Sequence, residues 1–338
     1  MGNRRVKTCP IWCSVSRQNA VLLHLPNAGR PARSANLAIA HSRFAGRLQL
    51  SSHPDPSRTA GPLARILGRL LIVLLLPLLA WIGICLLMYV QQRDLVYFGG
   101  VTRVDAAMTD FALQRNDGVV LRGWEVNPGA TDVLLYFGGN GENVGQMSGS
   151  LRSWLPQRTS YLLAYRGYGA SDGSPAQDLL FADAVALYDE VATRHPGARI
   201  AVIGRSLGSG VAAYLAAQRM VEKLVLVTPF DSLVAVAGAH YPWLPTSLLV
   251  TERFQSTHWL RDYRGPVLVI RAGRDQVVPP ANTDRLIAAL PQPPQVLAMP
   301  TAGHNDVLVT QAEADVLIRF LALPSDADHL AGMAGLAL

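Results

Sequence analysis

From residue 110 onward, short apolar runs rich in Val, Ile and Leu recur along the chain, each bounded by glycine, proline or aspartate. They cover residues 119–126, 133–137, 161–165, 200–203, 224–227, 267–270 and 295–299. Strands apolar on both faces belong to the middle of a parallel sheet that helices cover on each side. Between most of them lie stretches with helical spacing of apolar residues, at 176–194, 207–220, 282–290 and 311–321. Strand–helix alternation at this spacing predicts a mostly parallel, doubly wound α/β sheet. In such sheets ligands bind beyond the carboxyl ends of the strands, so the segments that follow the strands are where chemistry is expected.

Upstream, the pattern is different. Residues 70–90 read LLIVLLLPLLAWIGICLLMYV, 21 positions without a charge. At about 1.5 Å per residue a helix of that length spans ~31 Å, close to the ~30 Å hydrocarbon core of a bilayer. A buried core helix and a cleaved signal peptide are the rival readings. Signal peptides have shorter apolar regions, about 7–15 residues, followed by a small-x-small cleavage site, and neither feature is present. The sequence therefore predicts an uncleaved transmembrane anchor over 63–90. Residues 1–62, rich in Ser, Pro, Arg and Gly, read as a disordered or poorly defined basic leader, or as an over-extended gene start. Residues 91–324 form the expected catalytic domain, with a lid at about 238–264, and residues 325–338 a flexible tail.

Charge changes the picture once the chain is divided. The formal charge of +6 conceals eleven Arg and Lys against one acid in residues 1–69, and a net −4 in the remainder. The folded part thus offers no electrostatic support for nucleic-acid binding. The basic excess upstream favours an inside amino terminus, and hence a single-pass protein whose catalytic domain lies outside the cytoplasm. The three cysteines, Cys9, Cys13 and Cys85, all precede residue 90. Thiol catalysis downstream is excluded, and a Cys9/Cys13 zinc half-site lacks nearby partners. Neither a metal nor an organic cofactor is expected.

The strongest chemical signal is Gly204-Arg205-Ser206-Leu207-Gly208, between a strand-like and a helix-like segment. A G-x-S-x-G pentapeptide in that setting forms a sharp turn that projects its serine above the sheet. The Leu207 N–H, at the start of the following helix, is a candidate oxyanion donor. Of the eight histidines, His304 lies in a loop after a late strand and just before the last helix, where a base could approach Ser206. Asp275, after the strand at 267–270, is the first candidate for the carboxylate that orients it, with Asp231 as competitor; Asp306 is too close in sequence to face the ring. Gly138-Gly139-Asn140-Gly141-Glu142-Asn143, after the strand at 133–137, offers the Asn140 N–H as second oxyanion donor. A phosphate cradle there fails because no Lys-Ser/Thr follows and there is no G-x-G-x-x-G.

Gly204–Gly210, Tyr165-Arg166-Gly167-Tyr168-Gly169-Ala170-Ser171-Asp172-Gly173, the Asp275 loop and Gly303-His304-Asn305-Asp306 together resemble the α/β-hydrolase superfamily. More narrowly, they resemble its membrane-anchored bud-emergence-type branch, related to serine hydrolases that remove palmitate from proteins. The resemblance covers roughly residues 90–322. It departs at Gly138, where that family usually carries histidine. It implies a small lid over the aromatic segment that runs from His240 to Tyr263, and a substrate that is an acyl ester or thioester, lipids and lipidated molecules included. The Tyr165–Gly173 loop shapes the pocket floor or is a structural turn. The function expected is a membrane-anchored serine hydrolase that cleaves carboxylic ester or thioester bonds through Ser206, His304 and Asp275. The alternatives are a serine peptidase of the same fold and a non-catalytic anchored binding module.

Overall fold

The computed structural model describes residues 61–322. The tail at 325–338, Cys9 and Cys13, and all but the end of the expected leader lie outside the described residues.

The uncharged run lies within one helix, α1, Pro62–Val96. It continues through Gln91, Gln92 and Arg93, past the last apolar residue of the run. Pro77 sits inside it, a residue tolerated more often in membrane helices than in soluble ones. Leu70 to Leu79 are all exposed along the helix among the described residues.

Eight strands follow: β1 (Phe111–Gln114), β2 (Val120–Val126), β3 (Asp132–Phe137), β4 (Arg158–Leu163), β5 (Ile200–Arg205), β6 (Leu224–Val227), β7 (Val267–Ala272) and β8 (Gln295–Met299). They make one sheet in the order β1-β2-β4-β3-β5-β6-β7-β8. β2 runs antiparallel to both its neighbours, and every later pairing is parallel. The remaining helices are α2 (Ser148–Trp154), α3 (Gln177–Arg194), α4 (Leu207–Gln218), α5 (Leu233–His240), α6 (Thr246–Leu249), α7 (Ser256–Leu260), α8 (Pro280–Ala289) and α9 (Gln311–Leu321). The mostly parallel α/β architecture expected from the apolar runs is the one observed.

β3, β4, β5 and β6 are buried at every position. Burying each Leu, Val or Ile there contributes roughly 1.5–3 kcal/mol before the cost of ordering it. Two features differ from the sequence reading. β1 was not expected; its four residues alternate buried and exposed, too short a period to register against the polar turn that follows. β4 begins at Arg158 and ends at Leu163, three residues earlier at its start and two at its end than the apolar run at 161–165 implied. Arg158, Thr159 and Ser160 are polar yet buried: Arg158 donates to the carbonyls of Leu321 and Val133 and pairs with Glu222 at 2.9 Å, and the Thr159 hydroxyl donates to the Asn127 carbonyl at 3.0 Å.

Register is what positions the chemistry. Phe137 pairs with Gly204, Arg205 with Val227, Val227 with Ile270 and Ala272 with Met299. The carboxyl ends of β3, β5, β6, β7 and β8 therefore finish level, and the loops that follow them line one rim.

Candidate active site

Ser206 follows β5 and forms the N-cap of α4 with φ 49° and ψ −116°. For a residue with a Cβ this is sparsely populated backbone, which persists only where the surroundings impose it. Here packing imposes it. A Cβ on Gly204 would stand 2.4 Å from the Gly208 carbonyl oxygen, and one on Gly208 would stand 2.1 Å from that of Phe137. Strand and helix thus approach to a distance only glycine allows, and the turn between them lifts the Ser206 side chain onto the rim.

The side chains expected from three separate loops meet there. His304 Nε2 lies 2.9 Å from Ser206 Oγ, and His304 Nδ1 lies 2.7 Å from Asp275 Oδ2. The other oxygen of Asp275 accepts the N–H groups of Val277 and Val278, both at 2.8 Å, so the carboxylate is fixed by its own loop before it meets the ring. Asp231, the competitor, points elsewhere: it accepts Asn282 Nδ2 at 2.8 Å and pairs with Arg285. Asp306 accepts the N–H of Gly303 within its own loop.

Two backbone N–H groups lie in the segments next to the serine: Leu207 follows it in the chain, and Asn140 follows Gly139, where an added Cβ would stand 3.4 Å from Ser206 Cβ. Among the described residues, the N–H groups of Leu207 and Asn140 have no acceptor, whereas that of Gly139 is taken by Glu142 Oε2 at 2.7 Å. Free N–H groups beside a nucleophile are what a developing oxyanion requires. The Asn140 side chain is itself pinned: its Oδ1 accepts the Tyr168 hydroxyl at 2.7 Å and the Phe98 N–H at 2.8 Å.

Known proteins resemble this chain in sequence or in fold. A family model described as serine aminopeptidase, S33, matches residues 131–251. An uncharacterised protein of Mycobacterium tuberculosis is 35% identical over 253 residues, which are 71% of this chain and 90% of that protein. The α/β-hydrolase domain-containing protein WAV2 of Arabidopsis thaliana is 29% identical, over 62% of this chain and 77% of that one. The chain belongs to the α/β-hydrolase family. A membrane protein of Saccharomyces cerevisiae is 26% identical, over 61% of this chain and 76% of its own length. Among solved structures, an esterase of Pyrococcus furiosus superposes with a TM-score of 0.52 at 18% identity, covering 63% of this chain and 88% of that one. That likeness is one of fold.

In this α/β-hydrolase several residues without an assigned part in the sequence reading hold the rim together. Glu142 accepts Tyr136 Oη at 2.6 Å, the Gly139 N–H, and Arg205 Nη1 at 2.9 Å. Burial first, then the Glu142 carboxylate, hold the Tyr136 phenol well above its usual pKa, so it remains a donor. Arg205 also donates from Nη2 to Asn305 Oδ1 at 2.6 Å. One guanidinium thus ties the glycine loop, the serine turn and the histidine loop. The signal for this was present, since Arg205 and Glu142 both sit inside motifs, but nothing in the sequence pairs them. The Tyr165–Gly173 loop is a brace. Tyr165 donates to the Gly138 carbonyl at 2.9 Å, Tyr168 holds Asn140, and Arg166 pairs with Asp183 at 2.6 Å.

The other candidate histidines have structural partners. His195 caps α3 and shares a hydrogen bond with the Tyr161 hydroxyl at 2.8 Å. His240 meets the Val277 carbonyl at 2.9 Å, which ties α5 to the loop that carries Asp275.

Proposed function

We propose that this α/β-hydrolase is a membrane-anchored serine hydrolase that cleaves carboxylic ester or thioester bonds. The observation that carries the proposal is the continuous contact from Ser206 Oγ through His304 to Asp275, at 2.9 and 2.7 Å. In the first half-reaction His304 Nε2 takes the hydroxyl proton as Ser206 Oγ attacks the acyl carbon, and Asp275 steadies the imidazolium at Nδ1. The N–H groups of Leu207 and Asn140 receive the oxyanion; removing one such donor typically costs about 10²–10³ in rate. The tetrahedral intermediate collapses, the alkoxide or thiolate leaves with the proton from His304, and an acyl-serine remains. Water then attacks with His304 as base, releasing the carboxylic acid and restoring Ser206.

α1 serves as the single-pass anchor, an assignment that rests on its length, its uncharged run and its exposed apolar surface. The basic excess upstream favours a catalytic domain outside the cytoplasm. The domain is assigned to 91–324, with a lid at about 238–264 that contains α6 and α7.

Peptidase chemistry is the second reading, because the matching family model describes a serine aminopeptidase. An aminopeptidase must hold a substrate ammonium beside the scissile bond. The two carboxylates next to Ser206 are poorly suited to that: Glu142 already takes three donors, and Asp275 takes two N–H groups and His304. Turnover of acyl esters and aminoacyl anilides by the full chain in detergent, beside Ser206→Ala, separates the readings. Ester turnover abolished by Ser206→Ala is the expected result. Faster turnover of anilides, or ester turnover that survives the substitution, overturns it.

A further inference from the structure

Two pairs of neighbouring residues join the serine turn to the histidine loop. Ser206 meets His304 at 2.9 Å. Arg205, one residue earlier, donates from Nη2 to Oδ1 of Asn305, one residue later, at 2.6 Å. The second bond therefore fixes the spacing of the same two segments that the first must bring into reacting distance.

The other arm of the guanidinium reaches the glycine loop. Nη1 donates to Glu142 Oε2 at 2.9 Å, the same oxygen that accepts the Gly139 N–H at 2.7 Å. The Glu142 N–H in turn donates to the Gly139 carbonyl at 3.2 Å, closing a turn in which Gly141 takes φ 67°. A trans peptide is planar, so its C=O and its N–H point in opposite directions. With the Gly139 carbonyl directed into the turn, the N–H of the same peptide, that of Asn140, is directed out of it. Glu142 decides which way the expected oxyanion donor faces, and Arg205 holds Glu142.

Both charges lie beneath the rim, each side chain only 7% exposed. A buried ion pair is often no more stabilising than apolar side chains of the same volume, so stability alone does not call for one here. Geometry does. A guanidinium is a planar fork with fixed spacing, able to hold two acceptors at set positions where a lysine ammonium offers a single point charge.

We infer that Arg205 is a positioning residue with two separable arms. Through Asn305, Nη2 sets the approach of His304 to Ser206; through Glu142, Nη1 sets the Asn140 N–H as oxyanion donor. The inference rests on the proposed reading of Ser206 as the nucleophile of acyl transfer.

The test measures kcat/KM of the full chain in detergent on an alkyl ester, a p-nitrophenyl ester and a p-nitrophenyl thionoester of one acyl group. An alkoxide leaves with the proton from His304 and nitrophenolate leaves without one, so the alkyl to nitrophenyl ratio reads the base. Sulfur accepts hydrogen bonds more weakly than oxygen, so the ester to thionoester ratio reads the oxyanion donors. Asn305→Ala is expected to lower the first ratio about tenfold and Glu142→Gln the second, each leaving the other ratio within about twofold, since a small displacement of a catalytic group costs that much. Arg205→Lys is expected to lower both. Asn305 is exposed and Glu142→Gln keeps an acceptor oxygen, so these two variants decide the matter even where Arg205→Lys does not fold. Unchanged ratios in both, whether or not the melting temperature falls, mark a structural brace and overturn the inference. A fall of both ratios in either single-arm variant overturns the separation of the arms. Hydrolysis of neither oxygen ester by the wild type overturns the nucleophile reading, and the inference with it.

Discussion

The rim around Ser206 and the lid beside α1 are built in opposite ways. On the rim, Ser206, Asp275 and Arg205 are buried and the key polar side chains are fixed by short hydrogen bonds. Asp275 is held by two N–H groups, Asn140 by Tyr168 and Phe98, and Arg205 by Glu142 and Asn305. The lid instead consists of two short helices, α6 and α7, joined by irregular chain, and several of its apolar side chains face outward. Its fastening is concentrated on one carboxylate, Glu252, which accepts Tyr97, Arg93 and the Gln177 N–H at 2.6 Å. Glu252 thereby serves as the missing N-cap of α3, whose own cap residue, Ala176, has no side chain to offer. Preorganised electrostatics demand the first kind of construction. A cover that must admit a substrate tolerates the second, because segments that move are drawn from the less stable parts of a fold.

The contrast breaks first at Asp275. Asp275→Asn keeps the shape but donates where the ring must donate, and kcat is expected to fall roughly 10³–10⁴-fold with the melting temperature nearly unchanged; steady-state kinetics and a thermal scan check both halves. Next comes the turn. Gly208→Ala sets a Cβ 2.1 Å from the Phe137 carbonyl oxygen, and a backbone clash of that kind is expected to cost about 3 kcal/mol or more, read by urea denaturation. On the lid, Glu252→Gln removes a buried charge from three donors, one of them Arg93. A loss of roughly 1–3 kcal/mol is expected, with kcat on a water-soluble ester changed less than threefold. A thousandfold loss of kcat there would erase the distinction between the two regions.

The smallest effect is on acid stability. Asp117, Asp172, Asp189 and Asp284 are each held below the usual carboxylate pKa, chiefly by hydrogen bonds from Arg166, Arg122, Arg219 and Arg271. The unfolded chain binds protons on these groups first, so their contribution is complete above about pH 4–5 and fades as pH falls through the lower folded values. The melting temperature is expected to be flat from pH 5 to 7 and to drop below about pH 4. A rise on acidification contradicts the assignment.

The sheet was legible because β3, β5, β6 and β7 are apolar at nearly every position, a pattern few other structures require. Ser206, Asp275 and His304 were legible as candidates because each follows a strand in the order that a level rim demands. Other parts left no local trace. Arg158 falls outside the apolar run at 161–165, yet it is buried at the start of β4 because distant residues satisfy it. Glu252 reads as one acid in an apolar lid, and its partners lie 75 and more residues away in sequence. The tie from Arg205 to Asn305 spans 100 residues. Periodicity reports which face is buried, and long-range polar pairing is invisible to it.

The central claim is that Ser206 is an activated nucleophile. The most direct measurement is mass spectrometry of the full chain after exposure to a fluorophosphonate, beside His304→Ala, which keeps the hydroxyl and removes its base. A single phosphonyl adduct on Ser206, formed at least a hundredfold more slowly in the variant, is the result expected. An adduct on another residue, no adduct on folded protein, or equal rates in both proteins would contradict the claim.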